Sequence, residues 1–212
     1  MTITGLRLFG VTSVARDTGS GPPLDAGVVR TRDLAALVRP APYERHDPDA
    51  VEIDAYRGVI AAAFQRGVVL PAPCGTTFRN TEQLRRWMEQ NYIALSEGIH
   101  FVAGRCEGRV HVEHPQQADG ERSAAELSPT QLNDAFRQLR RVAAAVTTLA
   151  PATPRIVYSA AFLLDRERWN DFEPAVQALR RRHETLHIAL TGPWPPYDFV
   201  RLDFGVLNNV LP

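Results

Sequence analysis

Apolar and polar positions along the chain keep two rhythms, one of period two and one near 3.6, and the switches between them outline its elements. Residues 3–11 alternate loosely and are rich in β-formers, which predicts a first strand. A Gly/Ser/Pro turn at 18–23 follows, then two short apolar runs at 27–30 and 34–38 that read as strands. Asp47 and Pro48 supply a cap and a first-turn proline for a helix. That helix gathers Ala55, Val59, Ile60, Ala63 and Phe64 on one face, and Gly67 stops it. Residues 68–70 form a short buried strand that runs into Pro71-Ala72-Pro73-Cys74-Gly75-Thr76-Thr77-Phe78. Asn80 with Gln83 has capping-box spacing, and Leu84, Trp87, Met88, Asn91 and Leu95 continue one helical stripe to about Gly98.

Beyond Gly104 the rhythm restarts. Residues 106–114 alternate as a strand, and 114–127 form a polar loop of Pro, Gly, Gln and Ser. Ser128-Pro129-Thr130-Gln131 opens a helix whose apolar face runs through Leu132, Ala135, Phe136, Leu139, Val142, Ala143 and Val146. Pro151 and Pro154 end it. Residues 156–164 are a strand; Trp169, Phe172, Val176 and Leu179 mark a further helix, in which Pro174 fits only the first turn. Residues 186–190 are a last short strand. The pattern predicts an α+β fold of two small ferredoxin-like α/β sandwich domains, each with its helices on one face of a sheet, followed by a proline/aromatic-rich C-terminal arm. The first domain is 1–104. The second is 105–212, with the loop 114–127 and the arm 191–212.

The arm reads T-G-P-W-P-P-Y-D-F-V over residues 191–200. Pro193, Pro195 and Pro196 lack backbone donors, so no strand or helix is expected to pass through them. The result is a stiff, extended rod carrying Trp194, Tyr197 and Phe199, each ring able to bury about 150–250 Å². Three readings stand open. The arm folds over its own domain with Trp194 entering the core; it is an exposed clamp for a partner; or Pro193 to Pro196 is a P-x-x-P ligand.

Composition narrows the function classes. With 24 basic and 24 acidic residues the formal net charge is zero, which leaves no footprint for nucleic acid or an anionic membrane. No run of about eighteen apolar residues exists, and the first residues lack the order of a signal peptide, so a cytoplasmic location is expected. Cys74 and Cys106 are too few for a disulfide framework. Lysine is absent, which removes P-loop, Schiff-base and kinase-type lysine chemistry.

Three blocks carry a resemblance: Leu70-Pro71 with Gly75-Thr76-Thr77-Phe78, residues 158–164 (Y-S-A-A-F-L-L), and the arm's G-P-W-P-P-Y-D-F-V. Together they resemble the gas vesicle accessory proteins of the GvpL/GvpF family, over most of the chain. The resemblance implies a non-enzymatic accessory protein of two α+β domains without a cofactor. Such a protein acts on the small hydrophobic gas vesicle shell protein during nucleation or assembly, or sits on the shell as a minor component. Implied partners are the shell protein and other gas vesicle accessory proteins, and the implied location is the gas vesicle. The motif and interaction residues it implies are Pro71, Gly75, Thr76, Phe78, Gly192, Pro193, Trp194, Pro195, Pro196, Tyr197 and Phe199. The chain departs from the family pattern at Pro73 and Cys74, where a basic residue and an aromatic usually stand. The segment between Val112 and Ser128 is also shorter and more polar than usual.

An alternative class, a cytosolic metal-dependent or cysteine hydrolase, rests on scattered groups. His183-Glu184-Thr185-Leu186-His187 matches H-E-x-x-H, which needs both imidazoles on one helical face and the glutamate as base. Alternation from Leu186 onward instead ends the helix near His183, and only Asp198 or Asp203 remains as a third ligand. Cys74 as a nucleophile needs a histidine base, for which His46 and His100 are the candidates. Cys106, His111, Glu113 and His114 suggest a metal, but strand alternation separates His114 from the face of His111 and Glu113. Arg180-Arg181-Arg182 suits a helix C-terminus and also an acidic partner.

Overall fold

A computed structural model describes residues 4–14, 24–44, 47–113, 129–153, 155–183, 186–200 and 202, with backbone alone for 129–135. The turn expected at 18–23 and the loop expected at 114–127 lie outside these residues, as do His46 and His114. The chain divides into two compact units: Met1–Gly104 with the segment from Pro195, and Arg105–Trp194. The arm, expected in the second domain, is therefore shared, and from Pro195 onward it belongs to the first unit.

In the first unit β1 (Thr4–Ser13), β2 (Gly27–Thr31) and β3 (Leu34–Pro42) precede α1 (Ala50–Arg66). Then come β4 (Leu70–Pro71), β5 (Thr77–Phe78), α2 (Thr81–Gln90) and α3 (Tyr92–Val102). The sheet order is β2-β3-β1-β4, with β5 also paired to β1, and every pairing is antiparallel. Alternate residues of β3 divide between two apolar clusters. Leu34, Ala36 and Val38 join Leu84, Trp87 and Met88 of α2 and Leu95, Ile99 and Val102 of α3. Leu37 joins Phe9 and Tyr56, Val59, Ile60 and Ala63 of α1. Side chains of a strand alternate between faces, so helices cover both faces of this sheet. The expectation of a ferredoxin-like sandwich with helices on one face fails here, and the element order differs too. A strand buried on both faces reads as an unbroken apolar run, as residues 34–38 do.

The second unit runs β6 (Arg105–Glu113), α4 (Pro129–Val142), β7 (Ala145–Thr148), β8 (Ile156–Asp165), a 3₁₀ turn, α5 (Trp169–Arg182) and β9 (His187–Trp194). The sheet order is β7-β8-β6-β9, again antiparallel throughout. Phe162 of β8 stands 6.3 Å from Phe136 of α4 and 5.3 Å from Phe172 of α5, so both helices share one face. All three rings are buried, each burial being worth roughly 1.5–3 kcal/mol.

Four local expectations are corrected. The cap of α1 is Asp49, which accepts from the Glu52 amide at 2.8 Å, so Asp47 and Pro48 precede the helix. The stripe through Leu84 and Leu95 spans two helices, because the chain breaks at Asn91. The helix expected to reach Val146 ends at Val142, and residues 145–148 pair with β8 instead. Pro174 lies inside α5, past its first turn.

Candidate functional site

Residues 70–78 wrap onto the middle strand of the first sheet. Pro71 is buried opposite Gly10, and the Leu8 amide donates to the Thr76 carbonyl at 2.8 Å. A turn closes between them, with the Thr76 amide and hydroxyl both donating to the Pro73 carbonyl at 3.1 and 2.7 Å. Gly75 sits in it at φ +88, a region open to glycine at no steric cost. Phe78 is buried and tilts against Trp87 at 5.5 Å. Gly75, Thr76 and Phe78 thus set a turn and fill the core.

Tyr56 of α1 joins this turn to the arm. Its hydroxyl donates to the Ala72 carbonyl at 2.7 Å, and its ring stands 6.4 Å from Tyr197. Cys74 and Tyr197 both pack against the cluster that holds Tyr56. Burial pushes the Tyr56 phenol well above its usual value, and neighbouring Tyr197 and Cys74 add to the effect. Burial likewise raises the Cys74 thiol, against the lowering effect of Arg7, which is ion-paired with Glu52. Both groups are neutral at pH 7, so this junction packs and does not activate a nucleophile. Of the two bases considered for Cys74, His100 is engaged with the Ser96 carbonyl of its own helix at 2.8 Å.

The arm divides at Trp194. Contrary to expectation, β9 runs through Gly192 and Pro193, with Thr191 opposite Arg109 and Trp194 opposite Glu107. The register shifts between those pairs, and β9 is the edge of its sheet, where a proline without a donor is tolerated. The Gly192–Pro193 peptide is cis, and Gly192 has φ +132. A Cβ at Gly192 would lie 2.8 Å from the Glu107 carbonyl oxygen and 2.8 Å from Cη2 of Trp169; one at Gly108 would lie 3.0 Å from Cζ3 of the same ring. Two glycines therefore form the seat of the Trp169 indole.

Trp194 is 44% exposed, which corrects the expectation that this ring enters the core. Its Nε1 donates to the Thr191 hydroxyl at 3.1 Å, so the indole is held at the surface with its polar atom satisfied. Pro195 and Pro196 are buried, and a P-x-x-P ligand is thereby ruled out. Tyr197 packs on the α1 cluster; Phe199 is half-buried, while Val200 and Leu202 pack on the cluster under α2 and α3.

The hydrolase groups do not converge. Helix α5 ends at Arg182, His183 caps it and His187 opens β9, so the two imidazoles share no helical face; Glu184 lies outside the described residues. Cys106 is buried on the helix side of its sheet, its thiol raised to about 11 by burial. His111 faces the other side and meets the Ser159 hydroxyl at 2.8 Å. Among the described residues no three His, Cys, Asp or Glu side chains are grouped to hold a metal. Two polar pairs on that face went unread in the sequence: His111 with Ser159, and fully buried Glu107 accepting from Arg109 at 2.7 Å. The first needs a partner 48 residues away, which no local pattern supplies. The second had a visible sign, opposite charges two apart on an alternating strand.

Residues 8–131 and 120–201 match the family described as gas vesicle synthesis protein GvpL/GvpF. Gas vesicle protein F2 of Halobacterium salinarum is 26% identical over 185 residues, covering 85% of this chain and 82% of that protein. Gas vesicle protein F of a Streptomyces species is 24% identical over 213 residues, covering 84% and 89%. The crystal structure of GvpF from Anabaena sp. PCC7120 superposes with a TM-score of 0.75 at 19% identity, over 94% of this chain and 99% of that one. That of GvpF from Microcystis aeruginosa gives 0.71 at 18% identity, over 93% and 99%. The fold is thus the mixed fold of two antiparallel sheets with helices that those structures share, and the chain belongs to the GvpL/GvpF family.

Proposed function

We propose that this member of the gas vesicle synthesis family works as a non-enzymatic accessory protein that binds the small hydrophobic shell protein, with Trp194 as the anchoring side chain. Family membership supports a role in gas vesicle formation and an association with gas vesicle components. The observation that carries the finer reading is Trp194 itself. A motif tryptophan that is nearly half exposed, pinned by Thr191 and set at the end of an edge strand is a rigid apolar anchor. Large rigid rings of this kind dominate protein interfaces because they bury area at small entropic cost. In this reading Gly192 and Pro193 carry the strand that presents the ring, and Pro71, Gly75, Thr76, Phe78, Pro195, Pro196, Tyr197 and Phe199 are the remaining motif and interaction positions. Other gas vesicle accessory proteins are the second class of partner, and the reading requires no cofactor. No described helix is long and apolar enough to cross a membrane.

Trp194→Ala tests the reading in a pull-down with purified shell protein. Loss of an aromatic hot spot costs about 2 kcal/mol or more, about thirtyfold in affinity. The melting temperature should stay within a degree or two. Undiminished capture of the shell protein by the variant would remove Trp194 as the anchor.

A further inference from the structure

The edge of the second sheet carries a groove that the shell-binding reading does not use. β9 closes the sheet order, so beyond it no described strand takes up the outer backbone groups of residues 187–190. Helix α5 stands beside that edge. Between them lies a groove of about 500 Å³, lined by Gln177, Arg180 and Arg181 of the helix and by Leu186, Ile188 and Leu190 of the strand side. The Nε of Arg180 donates to the Ile188 carbonyl at 2.6 Å, which fixes the guanidinium at the strand edge. Among the described residues no acidic side chain lines the groove, and Arg182 and His183 continue the basic run past it.

We infer that this groove takes an extended acidic segment of a partner protein, which adds as a fifth strand beside β9. An exposed strand edge is a template for pairing, and proteins blunt such edges with lysine, proline or bulges. In β9 those devices are confined to one end, where Pro193 and the register shift protect residues 191–194. Residues 187–190 have none of these, and the Ile188 carbonyl, which accepts from Arg180, keeps a second lone pair for an added strand. In strand addition the backbone ladder supplies affinity and pockets for alternate side chains supply specificity. Successive side chains of an added strand point to opposite faces, so every second residue meets the groove with its cations Arg180 and Arg181, which selects glutamate or aspartate at those positions. A second copy of this chain pairing β9 to β9 would set the two arginine pairs against each other, so charge disfavours that occupant.

The test uses the full chain and a capped octapeptide of alternating valine and glutamate, with binding followed by fluorescence anisotropy and amide NMR. The peptide should bind, shift the amides of residues 186–190, and lose at least tenfold in affinity to Arg181→Glu, a surface exchange checked by its melting curve. Trp194→Ala should leave peptide binding unchanged, which separates this surface from shell binding. A valine–lysine peptide that binds equally well, amide shifts elsewhere, or no binding at all would each overturn the inference. So would a concentration-dependent dimer abolished by Leu190→Pro, whose amide points away from β6, which would show the edge to be a self-pairing surface.

Discussion

Two halves of one ten-residue motif are put to opposite uses. Gly192, Pro193 and Trp194 end a strand of the second unit and leave a tryptophan 44% exposed. Pro195, Pro196 and Tyr197 belong to the first unit, where the prolines are buried and the tyrosine packs beside Tyr56. Composition is the same on both sides, proline and a large ring. The difference lies in what surrounds each ring. Trp194 has a ladder partner on one side only and a hydroxyl for its N–H, whereas Tyr197 meets an apolar cluster already assembled by α1. A motif therefore does not announce burial or exposure; its neighbours decide.

The sharpest way to break the first half is Gly192→Val. It combines a positive φ, costing about 1–3 kcal/mol for a side-chain-bearing residue, with overpacking against Trp169 and the Glu107 carbonyl, about 1–3 kcal/mol more. Calorimetry should show the melting temperature falling by on the order of 10 °C. A fall below about 2 °C would mean that the seat relaxes freely.

Tyr197→Ala should come next. A half-buried ring is worth less than the roughly 3–5 kcal/mol of a fully buried one, so about 2 kcal/mol is expected, against a change within about 0.5 kcal/mol for Trp194→Ala. The same pair of variants sharpens the contrast through Cys74. Its thiol is raised chiefly by burial, so labelling by a maleimide should be slower than for a free thiol, accelerate in Tyr197→Ala and stay unchanged in Trp194→Ala. Equal acceleration in both would erase the distinction between the halves.

The smallest effect concerns the sheet that carries Trp194. Burial lowers the His111 pKa, with Arg109 adding to the shift and Glu113 opposing it. A folded-state histidine pKa below the unfolded value means that the unfolded chain takes up the proton first. Stability should therefore fall as pH drops below about 6.5 and level off once His111 itself protonates. Urea melts at pH 7.5 and 5.5 should differ less for His111→Gln than for the parent. An unchanged difference would assign the slope to other groups.

Legibility in the sequence followed locality. The apolar runs of β2, β3 and β8 and the stripes of α1 and α5 were readable because periodicity is a local property. The break at Asn91 was hidden because Leu84, Trp87, Met88 and Leu95 keep helical spacing across it. β7 was hidden because Val142, Ala143 and Val146 extend the stripe of α4, while pairing with β8 decides the outcome. The strand through Pro193 was refused on a rule that holds for central strands and lapses at an edge. The meeting of Cys74 with Tyr56 and Tyr197 depends on a chain return of more than a hundred residues, and no spacing rule reaches that far.

The division of the chain has a genetic consequence. Glu107, near the start of the second unit, is the ladder partner of Trp194, its last residue. That unit therefore enters and leaves its own sheet at neighbouring points, as an inserted cassette does, and the first unit is the host that resumes after it. A gene in which a short linker replaces codons 105–194 would join Gly104 to Pro195 and encode the host alone; the complementary fragment encodes the guest. The phrase G-P-W-P-P-Y is then a splice junction in protein form, its first three letters written for the guest and its last three for the host.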